Sequence, residues 1–146
     1  MSLLRWSDQY LVGNDLIDRQ HRYLFDLINA FHDAFIEQRE RREVLRLLNQ
    51  LIEYSESHFQ DEERVMRESG YPELEQHHAE HARLYERIFA LNAKLADRSL
   101  NPTYDTIAFL RTWLSDHIIG NDLAIGLHLN SRPQSPARDG QLEPQG

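Results

Sequence analysis

The sequence predicts an all-α protein: an up-down-up-down four-helix bundle with an N-terminal arm and a disordered C-terminal tail. Three observations predict it. Apolar residues recur at spacings of three and four in four long stretches, the period of helices with one buried face. The breaks between stretches are short, which favours antiparallel neighbours. Histidines and carboxylates interrupt the apolar stripes at alternating ends of successive helices. No stretch alternates with the period of two that a half-buried strand needs, and no internal repeat is visible.

Residues 1–17 read as an arm. Trp6, Tyr10, Leu11, Val12, Leu16 and Ile17 are apolar, and Gly13-Asn14 is a turn signal, so the segment is expected to lie across the domain and cover core surface. Asp18 is the expected N-cap of a first helix over 18–38, with Leu24, Phe25, Ile28, Phe31, Phe35 and Ile36 on its buried stripe. His21 shares that stripe near the helix start. The polar run 37–42 breaks the pattern.

A second helix is expected over 42–68. Its stripe of Val44, Leu47, Leu48, Leu51 and Ile52 continues through His58, Phe59, Glu62 and Met66, and Gly70 supplies the stop. Pro72 suits the first turn of a third helix over 72–96, where His77 and His81 precede Leu84, Ile88, Leu91 and Leu95 on one face. Asn101-Pro102 is a cap followed by a first-turn proline, opening a fourth helix that frays near 128–130. Ile107, Leu110, Trp113, Leu114, His117 and Ile118 carry its apolar face. Asp122 follows His117 by five residues, about 140° of rotation on an ideal helix. Either Asp122 reaches around or the helix loosens locally, which Gly120 would ease. One domain spans 1–130. The segment 131–146 is rich in proline and poor in apolar residues and reads as a disordered tail.

Composition limits the functions available. The formal net charge of -8 argues against nucleic acid as a partner. The absence of cysteine removes disulfides, thiolate metal sites and cysteine catalysis. Neither a signal peptide nor an apolar run long enough to cross a bilayer is visible, so a cytoplasmic protein without membrane insertion is expected.

The up-down topology brings the start of the first helix, the end of the second, the start of the third and the end of the fourth to one end of the bundle. His21, His58 with Glu62, His77 with His81, and His117 with Asp122 occupy those places. The pairs 58/62 and 77/81 are four apart, so each pair stacks on one helix face. Seven polar groups facing a dry core form either a hydrogen-bonded network or a metal centre. Two anionic carboxylates among neutral imidazoles call for added positive charge, which favours metal. One zinc ion takes four ligands, too few to employ seven. Two six-coordinate ions sharing both carboxylates and an added bridging oxygen would fill eleven of twelve positions and leave one open. Nitrogen and oxygen donors without sulfur suit iron, manganese or cobalt. Of the other histidines, His78 is expected at the surface, and His32 and His128 return to the inward face at opposite ends of the bundle.

Asp18-Arg19-Gln20-His21, His58 through Glu62, His77 through His81 and His117 through Asp122, with Trp6, Tyr10 and Val12-Gly13 in the arm, resemble the hemerythrin family, over roughly residues 5–128. The resemblance implies two non-haem iron ions with an oxo or hydroxo bridge. His77, His81 and His117 would bind one iron, His21 and His58 the other, and Glu62 and Asp122 would bridge them. It further implies reversible binding of O2 on the His21 and His58 side, for storage, delivery or sensing. Phe59, Trp113, Leu114 and Ile118 are the candidates for an apolar O2 pocket that keeps water out. The rival function is a diiron oxidase or peroxidase acting on O2 or peroxide. Ferritin-like oxidases, however, use four carboxylates and Glu-x-x-His pairs, a pattern absent here. A separate oxygen-accepting or signalling protein is the partner to expect.

Overall fold

A computed structural model of the chain describes residues 4–98 and 104–131. A short 3-10 turn, Asp8–Tyr10, precedes α1 (Asp15–Ile36), α2 (Arg41–Glu68), α3 (Leu74–Ala96) and α4 (Tyr104–His117). A single π-helical turn, Ile118–Asp122, joins α4 to α5 (Leu123–Ser131), so the fourth rod is one helix with a loosened turn. No strand occurs among the described residues, and no helix among them is long and apolar enough to cross a membrane.

The helix ends show where local chemistry departs from the pattern reading. The first helix starts three residues before the expected Asp18. Asn14 is the cap, and its side chain accepts from the Ile17 N–H at 3.0 Å. Asp18 serves the arm instead: its two carboxylate oxygens accept from the N–H groups of Val12 (2.7 Å) and Gly13 (3.1 Å). At the other end α1 stops at Ile36, short of 38, because Gln38 turns left-handed (φ 56°). Its N–H donates to Phe35 O and that of Arg39 to Ala34 O, the paired bonds of a Schellman ending without its usual glycine. Gly70 (φ 70°) does supply the stop of α2. Gly70 N–H donates to Arg67 O and Tyr71 N–H to Met66 O, while the Tyr71 and Met66 side chains pack together. Pro72 sits in the turn before α3 rather than inside it, since the first helical carbonyl is that of Glu73. The expected start at Asn101-Pro102 lies outside the described residues.

The apolar faces close into two clusters. The larger contains Leu24, Phe25, Ile28, Leu48, Leu51, Ile88, Leu110 and Leu114. The smaller is Val12, Ile17, Met66, Tyr71 and Ile125. His21 falls between Ile17 of the smaller cluster and Leu24 of the larger, and Glu62 between Phe59 of the larger and Met66 of the smaller, while His58 and His117 sit among members of the larger cluster. The inward polar groups thus form a polar layer where the two apolar bodies meet.

The arm covers the open side, as its composition predicts. Leu4 exchanges two 2.8 Å hydrogen bonds with the Asn29 amide. Trp6 and Tyr10 stand edge-on to Phe25, with ring centroids 5.2 and 4.8 Å away. Val12 lies so close to α5 that a Cβ on Gly126 would be 1.8 Å from its carbonyl oxygen. Away from the layer, half-buried His32 lies 3.7 Å from the Asp33 carboxylate. His128 donates to Ser69 O at 3.0 Å and ties α5 to the end of α2.

Candidate metal centre

The i, i+4 pairs on α2 and α3 place His58 with Glu62, and His77 with His81, on single inward faces. On the fourth rod the five-residue interval is resolved by backbone rather than side-chain reach. The π-turn widens one turn of helix and brings Asp122 onto the face of His117. All seven predicted groups, namely His21, His58, Glu62, His77, His81, His117 and Asp122, meet in the polar layer, and each is at most 6% exposed.

Their arrangement is two-sided. Oε1 of Glu62 lies 3.1 Å from His77 Nε2 and 2.9 Å from His81 Nε2. Oδ1 of Asp122 lies 2.8 Å from His77 Nε2 and 3.0 Å from His117 Nε2. The other oxygens turn the opposite way. Oε2 of Glu62 is 3.2 Å from His21 Nε2 and 3.4 Å from His58 Nε2, and Oδ2 of Asp122 is 2.9 Å from His21 Nε2. Each carboxylate thus gives one oxygen to a three-histidine set and one to a two-histidine set. Within each set the donor atoms lie within 4.8 Å of one another.

Several of these close approaches are not hydrogen bonds. Nε2 of His21, His58 and His117, Oε2 of Glu62 and both Asp122 carboxylate oxygens are buried without a hydrogen-bond partner. Orphaned buried polar atoms are costly and call for an explanation. Nitrogens and oxygens 2.8–3.4 Å apart but misaligned for donation aim their lone pairs at shared points, as the ligands of a cation do. The charge balance agrees. Burial opposes protonation of His21 and His77, yet Asp122 and Glu62 outweigh it and hold the two rings up at about 9 and about 10. Burial likewise opposes ionisation of Glu62 and Asp122, but the surrounding imidazoles keep both carboxyls well below the usual range. The layer draws in positive charge, and where no cation supplies it, protons do. Five imidazoles and two shared carboxylates therefore fit a pair of cations.

A further set of contacts holds the rings. His58 Nδ1 lies 2.7 Å from Gln20 Oε1, His81 Nδ1 lies 2.8 Å from Glu63 Oε2, and the Asn121 amide lies 3.2 Å from His117 Nδ1. Face-reading of the sequence missed Gln20, Glu63 and Asn121. Gln20 and Glu63 are each one residue from an inward group, on the flank that meets the next helix, and that adjacency is the signal that could have found them. His78, expected at the surface, is exposed but also bonds Glu63 at 2.7 Å.

The four expected pocket residues are buried around the layer. Phe59 stacks on His81 with centroids 4.1 Å apart and lies 5.7 Å from the His58 ring. Trp113 donates its indole N–H to Leu84 O at 3.0 Å, so its polar edge points away from the layer's unpaired atoms. Leu114 and Ile118 continue that apolar wall. Solvent comes nearest on the three-histidine side, through a cleft of about 210 Å³ lined by Tyr71, Gln76, His77, Gly120 and Asn121 among others.

Residues 12–124 match the family model described as the hemerythrin HHE cation binding domain. The chain belongs to the hemerythrin family. A bacteriohemerythrin of Stenotrophomonas maltophilia (strain R551-3) is 33% identical over 135 residues, covering 89% of this chain and 86% of that one. The myohemerythrin of Riftia pachyptila is 32% identical over 117 residues, 80% of this chain and 86% of that one. Among solved structures, a wild-type hemerythrin crystal structure superposes with a TM-score of 0.81 at 31% identity, covering 89% of this chain and all of that one.

Proposed function

We propose that this chain binds O2 reversibly at two non-haem iron ions held in its polar layer, for oxygen storage, delivery or sensing. One observation carries the reading: Glu62 and Asp122 each turn one oxygen to His77, His81 and His117 and the other toward His21 and His58. When bound, the iron pair, with an oxo or hydroxo group as its third bridge, supplies two electrons and an open coordination position for a small oxidant.

The residues supply what such a pair needs. The three-to-two division of the imidazoles leaves the His21 and His58 position one protein donor short, and we assign O2 to that side. Phe59, Trp113, Leu114 and Ile118 are buried around the layer, and we assign to them the exclusion of water that keeps protons from the reduced oxidant. The relatives' names, bacteriohemerythrin and myohemerythrin, and the cation-binding description of the family model support the same reading.

The test is a visible spectrum, with metal analysis, of the anaerobically reduced protein before air, after air, and after air is removed. Two irons per chain and a charge-transfer band that comes and goes with O2 are expected. Irons that oxidise at once and never return O2 would shift the assignment to an oxidase or peroxidase. Absence of iron would reduce the layer to a hydrogen-bonded network.

A further inference from the structure

The seven inward groups are the inner part of a larger cluster, and its outer part differs on the two sides. On the three-histidine side, Nδ1 of His81 donates to Oε2 of Glu63 at 2.8 Å. The other Glu63 oxygen lies 2.7 Å from Nδ1 of His78. Glu63 is a largely buried carboxylate, 13% exposed, clamped between an interior imidazole and one that is 67% exposed. On the two-histidine side the group on His58 Nδ1 is the Gln20 amide oxygen at 2.7 Å. Gln20 in turn donates to Asp61 at 2.7 Å, so at its Nδ1 edge His58 is linked to a carboxylate only through a neutral amide. His21 Nδ1 is buried with no partner at all.

This asymmetry has a chemical consequence. An imidazole that donates one N–H to a carboxylate is held in one orientation and is the stronger base at its other nitrogen. Such partners are worth about 10- to 100-fold in metal affinity. A neutral amide acceptor makes a bond roughly half as strong as a charged one. We propose that Glu63, steadied by His78, is a positioning residue that makes the three-histidine position the tighter of the two, while Gln20 leaves the two-histidine position exchangeable. The ion beside His81 then loads first and leaves last. This rests on the two-ion reading above and adds an order of binding to it. The position assigned to O2 is also the one through which the centre loses metal.

Counting nitrogens alone, three against two, would give the same order, so the order is not the test. The full-length chain is loaded anaerobically with ferrous iron, its iron is counted, and release to an excess of a coloured ferrous chelator is followed. Wild type should release iron in two phases of about one ion each. Glu63→Gln keeps the shape and an accepting oxygen but loses the charge, and should speed the slow phase about 10-fold while leaving the fast phase alone. Gln20→Leu should speed only the fast phase. His78→Ala should speed the slow phase by less than Glu63→Gln. Melting of the metal-stripped variants, expected to match stripped wild type, separates these effects from loss of fold. A slow phase unmoved by Glu63→Gln, or both phases moved equally, overturns the inference while the two-ion reading stands. Fewer than two irons on wild type overturns both.

Discussion

His77 shows how much one side chain carries in this layer. It is the group nearest the solvent cleft, yet its Nε2 touches both carboxylates, at 3.1 and 2.8 Å. Replacing it by alanine removes a donor from the three-histidine set, leaves Glu62 and Asp122 short of positive charge, and opens the cleft into the layer. His77→Ala should therefore lower iron content below two per chain and cost roughly 3–4 kcal/mol of stability in the iron-loaded protein. Metal analysis and thermal melting check this, and full loading would remove His77 from the ligand set. The inward position of His77 could be read from the sequence, because four-residue spacing and an apolar stripe fix a helix face. The role of Glu63 could not. In the run Asp61-Glu62-Glu63-Arg64 one acid faces in and its neighbour lies on the flank, where a partner-holding carboxylate and a solvated one look alike until the next helix is in place. Gln20, beside His21, was hidden for the same reason.

Among the elements, the fourth rod carries the least obvious device. The five-residue step from His117 to Asp122 posed a problem with two solutions, and the chain uses a π-turn. Gly120 looked like the enabling residue, but its φ is not left-handed and a Cβ there would meet nothing within 4 Å. The turn is instead held by what it delivers, Asp122 in the layer and Ile118 in the core. Gly120→Ala should therefore keep its iron and gain up to about 1 kcal/mol from the better helix former. A fall in iron per chain would restore the glycine as the hinge. Gly126, which raised no signal in the sequence, is the glycine that matters. Its missing Cβ is the space occupied by the Val12 carbonyl. Gly126→Ala should unseat the arm at a cost of about 1–3 kcal/mol, seen as a lower melting temperature and faster proteolysis near residue 12. Unchanged melting and proteolysis would mean that the arm adds little to the fold. The start of α1 was misplaced by three residues because Asn14 and Asp18 are both good caps. Only the arm's position decides which one caps α1 and which one holds Val12 and Gly13.

For the whole molecule, the alternation of polar residues between helix starts and ends made the bundle legible, since only an up-down topology brings all four places to one level. The same reasoning confines the inward groups to residues 21–122, so a chain ending at residue 130 should bind iron and melt as the full chain does. Loss of iron on truncation would give 131–146 a role that its composition does not predict. The larger consequence concerns the layer between the two apolar clusters. Ionised Glu62 and Asp122 are fully buried there, and a buried charge is tolerable only when compensated. Bound cations supply that compensation in the folded state alone, because the unfolded chain does not hold the seven groups together. Free metal at about 1,000 times its dissociation constant would stabilise the fold by about 4 kcal/mol. For a domain of this size each kcal/mol moves the midpoint by roughly 3–5 °C, so removing the metal should lower the melting temperature by about 10–20 °C. Calorimetry of the loaded and chelator-stripped protein at one pH measures the difference. Restoring ferrous iron should restore the midpoint. A stripped protein that melts with the loaded one would mean that protons on His21 and His77 compensate the carboxylates as well as metal does, and that the layer is held by hydrogen bonds alone.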